Sequence, residues 1–198
     1  LHPKRRGGKM ETQLKAFYKT PQGIKFVTIF GYATKGVPSL EINGVGKLSK
    51  NIKEKIIYMT RIRKLNVPMR RFVICLDLNE VNMHDAHHLK WLEFPLLLSY
   101  WYLCNLIPIK KLDNCIAAGW LKTNGEIIQM GLPNSFLDAF KANFNPIEQK
   151  NLMLINLTYF QYVKTIDSSL LLEHIPKLKF RLDYMESSSA IPTNSFIA

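Results

Sequence analysis

The sequence predicts a mixed α/β domain, and three observations carry that expectation. Asn124-Gly125 lies between two apolar runs, the strongest short-range signature of a β-hairpin. Ile52, Ile56, Met59, Ile62 and Leu65 recur at spacings of three and four, which puts them on one stripe of a helix. That helix lies between "SLEINGV" and "RRFVICLDL", two strand-like runs, so strand, helix and strand form a crossover unit. Hairpins and crossovers in one chain call for a mixed β-sheet with helices packed on it.

Taken in order, residues 1–22 are basic and polar, with Gly7-Gly8 and Pro21-Gln22-Gly23, and read as a flexible arm. "FVTIFGYAT" (26–34) reads as a strand, 35–38 as a turn, and 39–45 as an alternating second strand. Ser49 is the N-cap candidate for the amphipathic helix, and Pro68 is its stop. Residues 70–78 form an apolar third strand, followed by the polar loop "NEVNMHDAHHLKW". Glu93-Phe94-Pro95 opens an apolar helix running through Leu106, with Pro95 in the first turn where its missing N–H costs little. "CIAAGWL" and "EIIQM" are the two hairpin strands, closed by a turn that needs positive φ at both Asn124 and Gly125. A helix over about 134–144, a strand "LMLINL" and a helix over about 168–179 complete the folded domain, residues 23–184. Residues 185–198 read as a disordered tail.

Composition narrows the class. With 47% hydrophobic and 21% charged residues the chain is that of an ordinary globular protein. The longest nearly uncharged run, 94–109, contains Pro95 and Pro108 and falls short of the roughly 20 residues a membrane span needs, so it reads as a buried helix. The N-terminal "LHPKRRGGKM" has no apolar segment behind its charges, so no secretory signal is read there, and Met10 is a candidate start. Cys75, Cys104 and Cys115 are widely spaced inside apolar runs, which indicates neither a zinc site nor a disulfide framework and suits a reducing cytoplasm.

Net charge is +12 and unevenly held: residues 1–75 carry 17 Lys/Arg against 3 acids, residues 76–198 carry 10 against 12. Such asymmetry points toward a polyanion partner, DNA or RNA, although a lysine-, isoleucine- and asparagine-rich composition produces it equally. Lys50, Lys53, Lys55, Arg61, Arg63 and Lys64 occupy the remaining positions of the amphipathic helix and its end, with Arg70 and Arg71 just beyond. These eight are the candidate nucleic-acid contacts; the alternative is a solvated helix surface.

Catalytic motifs are missing from the sequence. "GVGKLS" (44–49) lacks the first Gly of a phosphate-binding loop at the required spacing, and no H-E-x-x-H, G-x-S-x-G or G-x-G-x-x-G occurs. His84, Asp85, His87 and His88 have metal-ligand chemistry but fall in a loop with no further ligand nearby in sequence, so no metal and no cofactor is assigned. Ser99 lies mid-helix, where its hydroxyl is expected to bond back to the preceding turn.

Read serially, several segments resemble the N-terminal domain of the magnesium-chelatase-related ChlI/ComM family. "YATKGVPSLEINGV" (32–45) is similar to its "GLPxFxIVGL" opening, and "SKNIKEKIIYMTRIRKLNVPMRRFVICLDLNE" (49–80) to its "KESRERVRAALKNSGFxFPxRRITVNLAPAD". Glu93-Phe94-Pro95 takes the place of "DLP", "GWLKTNG" that of "GELSLDG", and "GLPNS" that of "GVLPA". The agreement runs from about Gly23 to Phe180. It implies the ribosomal protein S5 domain 2-like fold, shared with the Lon protease catalytic domain.

In Lon-type peptidases the helix after this hairpin begins "GGLKEK", whose first Lys is the base of a Ser–Lys dyad. Pro133 stands at that place here, and "HLKWLEFP" stands where the nucleophile turn "DGPSAG" would be. The resemblance therefore implies a non-catalytic domain; a displaced dyad of Ser99 or Ser135 with Lys122 is the enzymatic alternative. Family members continue into an AAA+ ATPase module, and this chain ends at Ala198 without one. The expected role is an assembly or nucleic-acid-associated domain, relatives serving DNA uptake and branch migration, with DNA or RNA, a separate AAA+ subunit or further copies of itself as partners. A vestigial or purely protein-interacting product is the competing expectation.

Overall fold

The computed structural model describes residues 10–77, 88–107, 111–129, 134–155 and 179–181. Nine strands and four helices appear among them: β1 (Glu11–Thr20), β2 (Gly23–Thr34), β3 (Ser39–Asn43), α1 (Ser49–Ile62), β4 (Arg71–Leu76), α2 (Glu93–Leu103), β5 (Cys115–Ala117), β6 (Gly119–Leu121), β7 (Ile127–Gln129), α3 (Phe136–Asn143), α4 (Pro146–Asn151), β8 (Met153–Ile155) and β9 (Lys179–Arg181). Seven strands form one sheet in the order β3-β4-β2-β1-β5-β8-β9, and β6 pairs with β7 in a separate ribbon. Pairs β1–β2, β2–β4 and β8–β9 are antiparallel, while β3–β4, β1–β5 and β5–β8 are parallel, so the sheet is mixed as expected.

The largest departure lies at the start. Residues 11–20 were expected within a flexible arm and instead form β1, hydrogen-bonded on both sides in the middle of the sheet. Leu14, Ala16 and Tyr18 alternate into one core while Phe17 enters another, a two-sided burial that hides the usual period-two pattern. The turn to β2 is also atypical. Pro21 cannot take the positive φ of the primed hairpin turns. Thr20 supplies the fastening: its hydroxyl donates to the Gly23 carbonyl at 3.0 Å and accepts from the Gln22 amide at 3.2 Å.

One face of the sheet carries the main core. The α1 stripe of Ile52, Ile56 and Met59 packs there, as its spacing predicts, beside α2. All residues of α2 are buried, including Ser99, whose hydroxyl donates to the Pro95 carbonyl at 3.1 Å in the manner the sequence predicts. A helix apolar all round belongs in a core, and no helix of the described residues is long and apolar enough to cross a membrane. Both helices stop in the same way, earlier than expected. Lys64 (φ 53) and Asn105 (φ 58) take left-handed backbone, and the next amides, Leu65 and Leu106, reach back to the carbonyls of Thr60 and Trp101. Ser49 does not cap α1, because the chain enters already coiled through a 3-10 turn at Gly46–Leu48.

Among the described residues the other face is covered at one end only. Phe136, Phe140 and Phe144 project from α3 and its end at intervals of four and meet Phe17 and Phe26 of the first hairpin. Centroids lie 4.8 Å apart for Phe17–Phe136 and 4.9 Å for Phe26–Phe144. Next comes α4, unforeseen although its signal was present. Asn145 accepts from the Ile147 and Glu148 amides, Glu148 accepts from the Asn145 amide, and Pro146 opens the helix, together a capping box. The helix expected over 168–179 lies outside the described residues apart from Lys179, which belongs to β9, and the 185–198 tail lies wholly outside them.

Truncating the centre of the aromatic layer tests this architecture. Phe136→Ala is expected to cost about 3–5 kcal/mol, the usual range for a buried Phe, read as a lowered urea midpoint with the cooperative transition retained.

Candidate functional site

The eight candidate cations sit on α1, its C-terminal turn and the start of β4, and the fold disperses them. Lys50 and Arg61 lie on the exposed strip of α1, three turns apart, with Glu54 and Tyr58 between them. Lys53 leans to the β3 flank, close enough that its charge helps hold the Glu41 carboxyl down. Lys55 leans to the opposite flank. Its Nζ donates to Glu93 Oε1 at 2.8 Å, pairing with a carboxylate that is 3% exposed.

The remaining four follow the same division. Arg63, half-buried past the end of α1, donates from Nη2 to the Gly125 carbonyl at 3.2 Å and stacks 5.5 Å over the Trp101 ring. Burial pulls its pKa below the ordinary value, though a guanidinium stays charged. Lys64 is exposed at the left-handed helix stop. Arg70 Nη1 lies 2.8 Å from Met10 Sδ. Arg71 grips Glu41 with two parallel bonds, Nε to Oε1 at 2.8 Å and Nη2 to Oε2 at 2.9 Å. That fork lowers the Glu41 pKa and raises that of Arg71.

Three of the eight therefore serve the fold directly, and they converge on α2 or on the sheet rather than on one surface. The densest constellation is one the sequence reading did not assemble. Glu93, in the first turn of α2, accepts from Lys55 of α1 through Oε1 and from the Leu121 amide of β6 through Oε2, at 2.8 Å each. One helical turn beyond Lys55, the Thr60 hydroxyl donates to the Ile56 carbonyl at 2.7 Å and accepts from Trp101 Nε1 at 2.9 Å. Arg63 completes the line at the hairpin. Thus α1, α2 and the β6–β7 ribbon are joined by polar bonds across an apolar interior. A signal existed for it: Glu93 is the lone charge beside a long apolar run, and a buried acid demands a partner.

The hairpin itself differs from its expected form. "CIAAGWL" is not one strand but two, β5 in the main sheet and β6 in the ribbon, separated at Ala118. The turn carries positive φ only at Gly125 (91°) and not at Asn124. The Gly125 amide bonds to the Lys122 carbonyl and the Lys122 amide to the Glu126 carbonyl, a type I turn closed by a left-handed glycine. Asn124 acts instead through its side chain, accepting from the Glu126 amide at 3.0 Å. A Cβ on Gly125 would come within 2.7 Å of Ile62 Cδ1, so the turn sits hard against the end of α1.

Residues weighed for catalysis have ordinary partners. Lys122 pairs with Glu126 at 2.9 Å, Ser99 is enclosed in α2, and Ser135 is exposed ahead of α3. Pro133 and His84, Asp85 and His87 lie outside the described residues; His88 is half-buried beside the 3-10 turn Leu89–Leu92. Among the described residues no three His, Cys, Asp or Glu side chains gather as a metal site. Cys75, Cys104 and Cys115 are thiols outside any disulfide; burial pushes the Cys104 thiol up to about 12, partly offset by a hydrogen bond with Tyr100.

Lys55→Met strands a buried carboxylate and is expected to cost about 3–5 kcal/mol. Glu93→Gln is expected to cost less, because Lys55, at 26% exposure, can turn to solvent; the double variant should recover part of the loss, read by a denaturation cycle. Since Arg71 holds Glu41 below the usual carboxylate range, their pair stabilises the fold above that range and loses its contribution as pH falls through the lowered value. Arg71→Gln is expected to flatten the acid limb of a melting-temperature profile, while the wild type keeps it.

Compared with known proteins, the chain matches no protein-family model and no curated protein.

Proposed function

We propose that the chain is a non-catalytic assembly domain of the magnesium-chelatase-related ChlI/ComM type, with the ribosomal protein S5 domain 2-like fold, working beside a separate AAA+ ATPase subunit on nucleic acid. The observation that carries this reading is where the resembling segments fall. Residues 32–45 cover the end of β2, β3 and their turn; the segment from Ser49 covers α1 and β4 as far as it is described. Glu93-Phe94-Pro95 is the first turn of α2, and 119–125 is β6 with its turn. The motifs thus fall on successive elements in serial order, and two of them meet at the Glu93–Leu121 bond.

A binding role is favoured over chemistry by how the polar groups are used. Glu93, Lys55, Thr60 and Ser99 are bonded within the chain, and Lys122 is paired. Nucleic-acid contact then falls to Lys50, Arg61 and Lys64, the cations standing exposed on α1 and its end. The purely protein-interacting alternative has its own support, the dispersal of Lys55, Arg63 and Arg71 into internal bonds.

A gel-shift titration of the full chain against single-stranded and branched DNA separates the two. Three phosphate contacts predict a log–log salt slope of about −2 on single strands. Lys50→Glu and Arg61→Glu are expected to weaken retention, and Arg71→Gln to leave it unchanged. Unshifted DNA at low salt and micromolar protein would remove the nucleic-acid role and leave protein interaction.

A further inference from the structure

Among the described residues, only half of the second face of the sheet is covered. Phe17 and Phe26 lie under α3, but four positions beyond Phe26 along β2 no described element covers the same face, leaving Phe30 at 44% and Tyr32 at 42% exposure. Their strand is internal, hydrogen-bonded to β1 on one side and β4 on the other, so these rings are not edge residues. Around them on this face stand Glu11, Gln13 and Lys15 of β1, Val73 and Cys75 of β4, and Glu41 and Asn43 of β3. An aromatic centre with a polar rim is the make-up of a protein contact.

Charge argues against a polyanion there. In the most basic part of the chain, the strand positions on the open half of this face hold Glu11 and Glu41 against Lys15 and Arg71, and the last pair is closed on itself; Lys19 lies at the α3 end. The face is close to neutral, so it neither attracts phosphate nor repels another face like itself. Its pattern is also self-complementary. Glu11 and Lys15 flank Gln13 symmetrically on β1, and Gln13, Phe30 and Cys75 share one row across the strands.

We propose that this half-face docks a second copy of the chain, strands antiparallel, about a two-fold axis lying along the Gln13–Phe30–Cys75 row. Two sheets stacked about 10 Å apart in this way set Phe30 against Phe30 of the second copy and Glu11 opposite Lys15 of the second copy, twice by symmetry. Tyr32 then lies over Thr28 of the second copy, filling the ledge that α3 leaves. Cys75 meets its own counterpart, since it lies on the axis row. The inference deepens the assembly reading and rests on it for the nature of the partner.

Sedimentation of the full chain with and without a short bis-maleimide tests it. The native protein is expected to show a concentration-dependent dimer and a covalent dimer through Cys75, the half-exposed thiol, Cys104 and Cys115 being buried. Cys75→Ser should abolish the covalent species alone. Phe30→Thr, which keeps strand propensity, should abolish both, with an unchanged circular dichroism spectrum. Glu11→Lys should weaken association about ten-fold and Glu11→Lys/Lys15→Glu should restore it, the signature of a charge pair across the contact. A chain that stays monomeric and uncrosslinked overturns the proposal, as does a dimer indifferent to Phe30→Thr, or protection of Phe30 and Tyr32 by an oligonucleotide without dimerisation. DNA retention tests the functional reading and cross-linking tests this contact, so each fails separately.

Discussion

A carboxylate without water must find two donors, and Glu93 finds them on two different elements. Lys55 reaches it from α1 and the Leu121 amide from β6. Apolar side chains in a core tolerate sliding and repacking, but an ionised oxygen left without a donor costs far more than a displaced methyl. The bond pair therefore sets where α2 begins relative to α1 and how the ribbon hangs beside them. Its place in the first turn of α2 also opposes the positive end of the helix dipole. Thr60–Trp101 and Arg63–Gly125 repeat the arrangement further along, so the main core is aligned by polar bonds and filled by aliphatic ones.

The opposite face is built from different material. Five phenylalanines interlock there, and rings with centroids 4.8–6.2 Å apart hold by shape and quadrupole without any buried charge. This layer ends where Lys15 lies 5.9 Å from the Phe144 ring and donates to Thr28. Beyond that boundary no described element covers the sheet. Among the described residues the sheet is thus covered on both faces at one end and on one face at the other, although a single set of strands runs through both.

Local pattern made much of this legible and long-range pairing hid the rest. The α1 stripe and the enclosure of α2 follow from spacing and from an unbroken apolar run, properties a window of residues contains. The β1 strand was obscured because its residues enter two cores and its turn is fastened by Thr20 instead of a glycine pair. Asn145, Pro146 and Glu148 announce α4 within four residues, a cap signal that the expectation of a single helix over about 134–144 leaves out, whereas α3 falls inside that expected helix. Which cations face solvent could not be read at all. Lys55 meets a partner 38 positions away and Arg71 one 30 positions away; Glu93 stands out as a lone charge beside an apolar run, but nothing near it names Lys55, and Glu41 has no such local mark.

The strand β3 ends the sheet among the described residues, and an end strand offers backbone donors and acceptors to any passing chain. Here that offer is small. Pro38 precedes the strand and lacks an amide proton, and Gly44 follows it at φ 93, so only five residues lie extended. A Cβ on Gly44 would approach Leu76 Cβ to 2.9 Å, so the kink that truncates the rim is locked in by β4. Ladder extension into a fibre is thereby discouraged at this rim, and a neighbouring chain that approaches the open end of the sheet meets rings sooner than it meets amides.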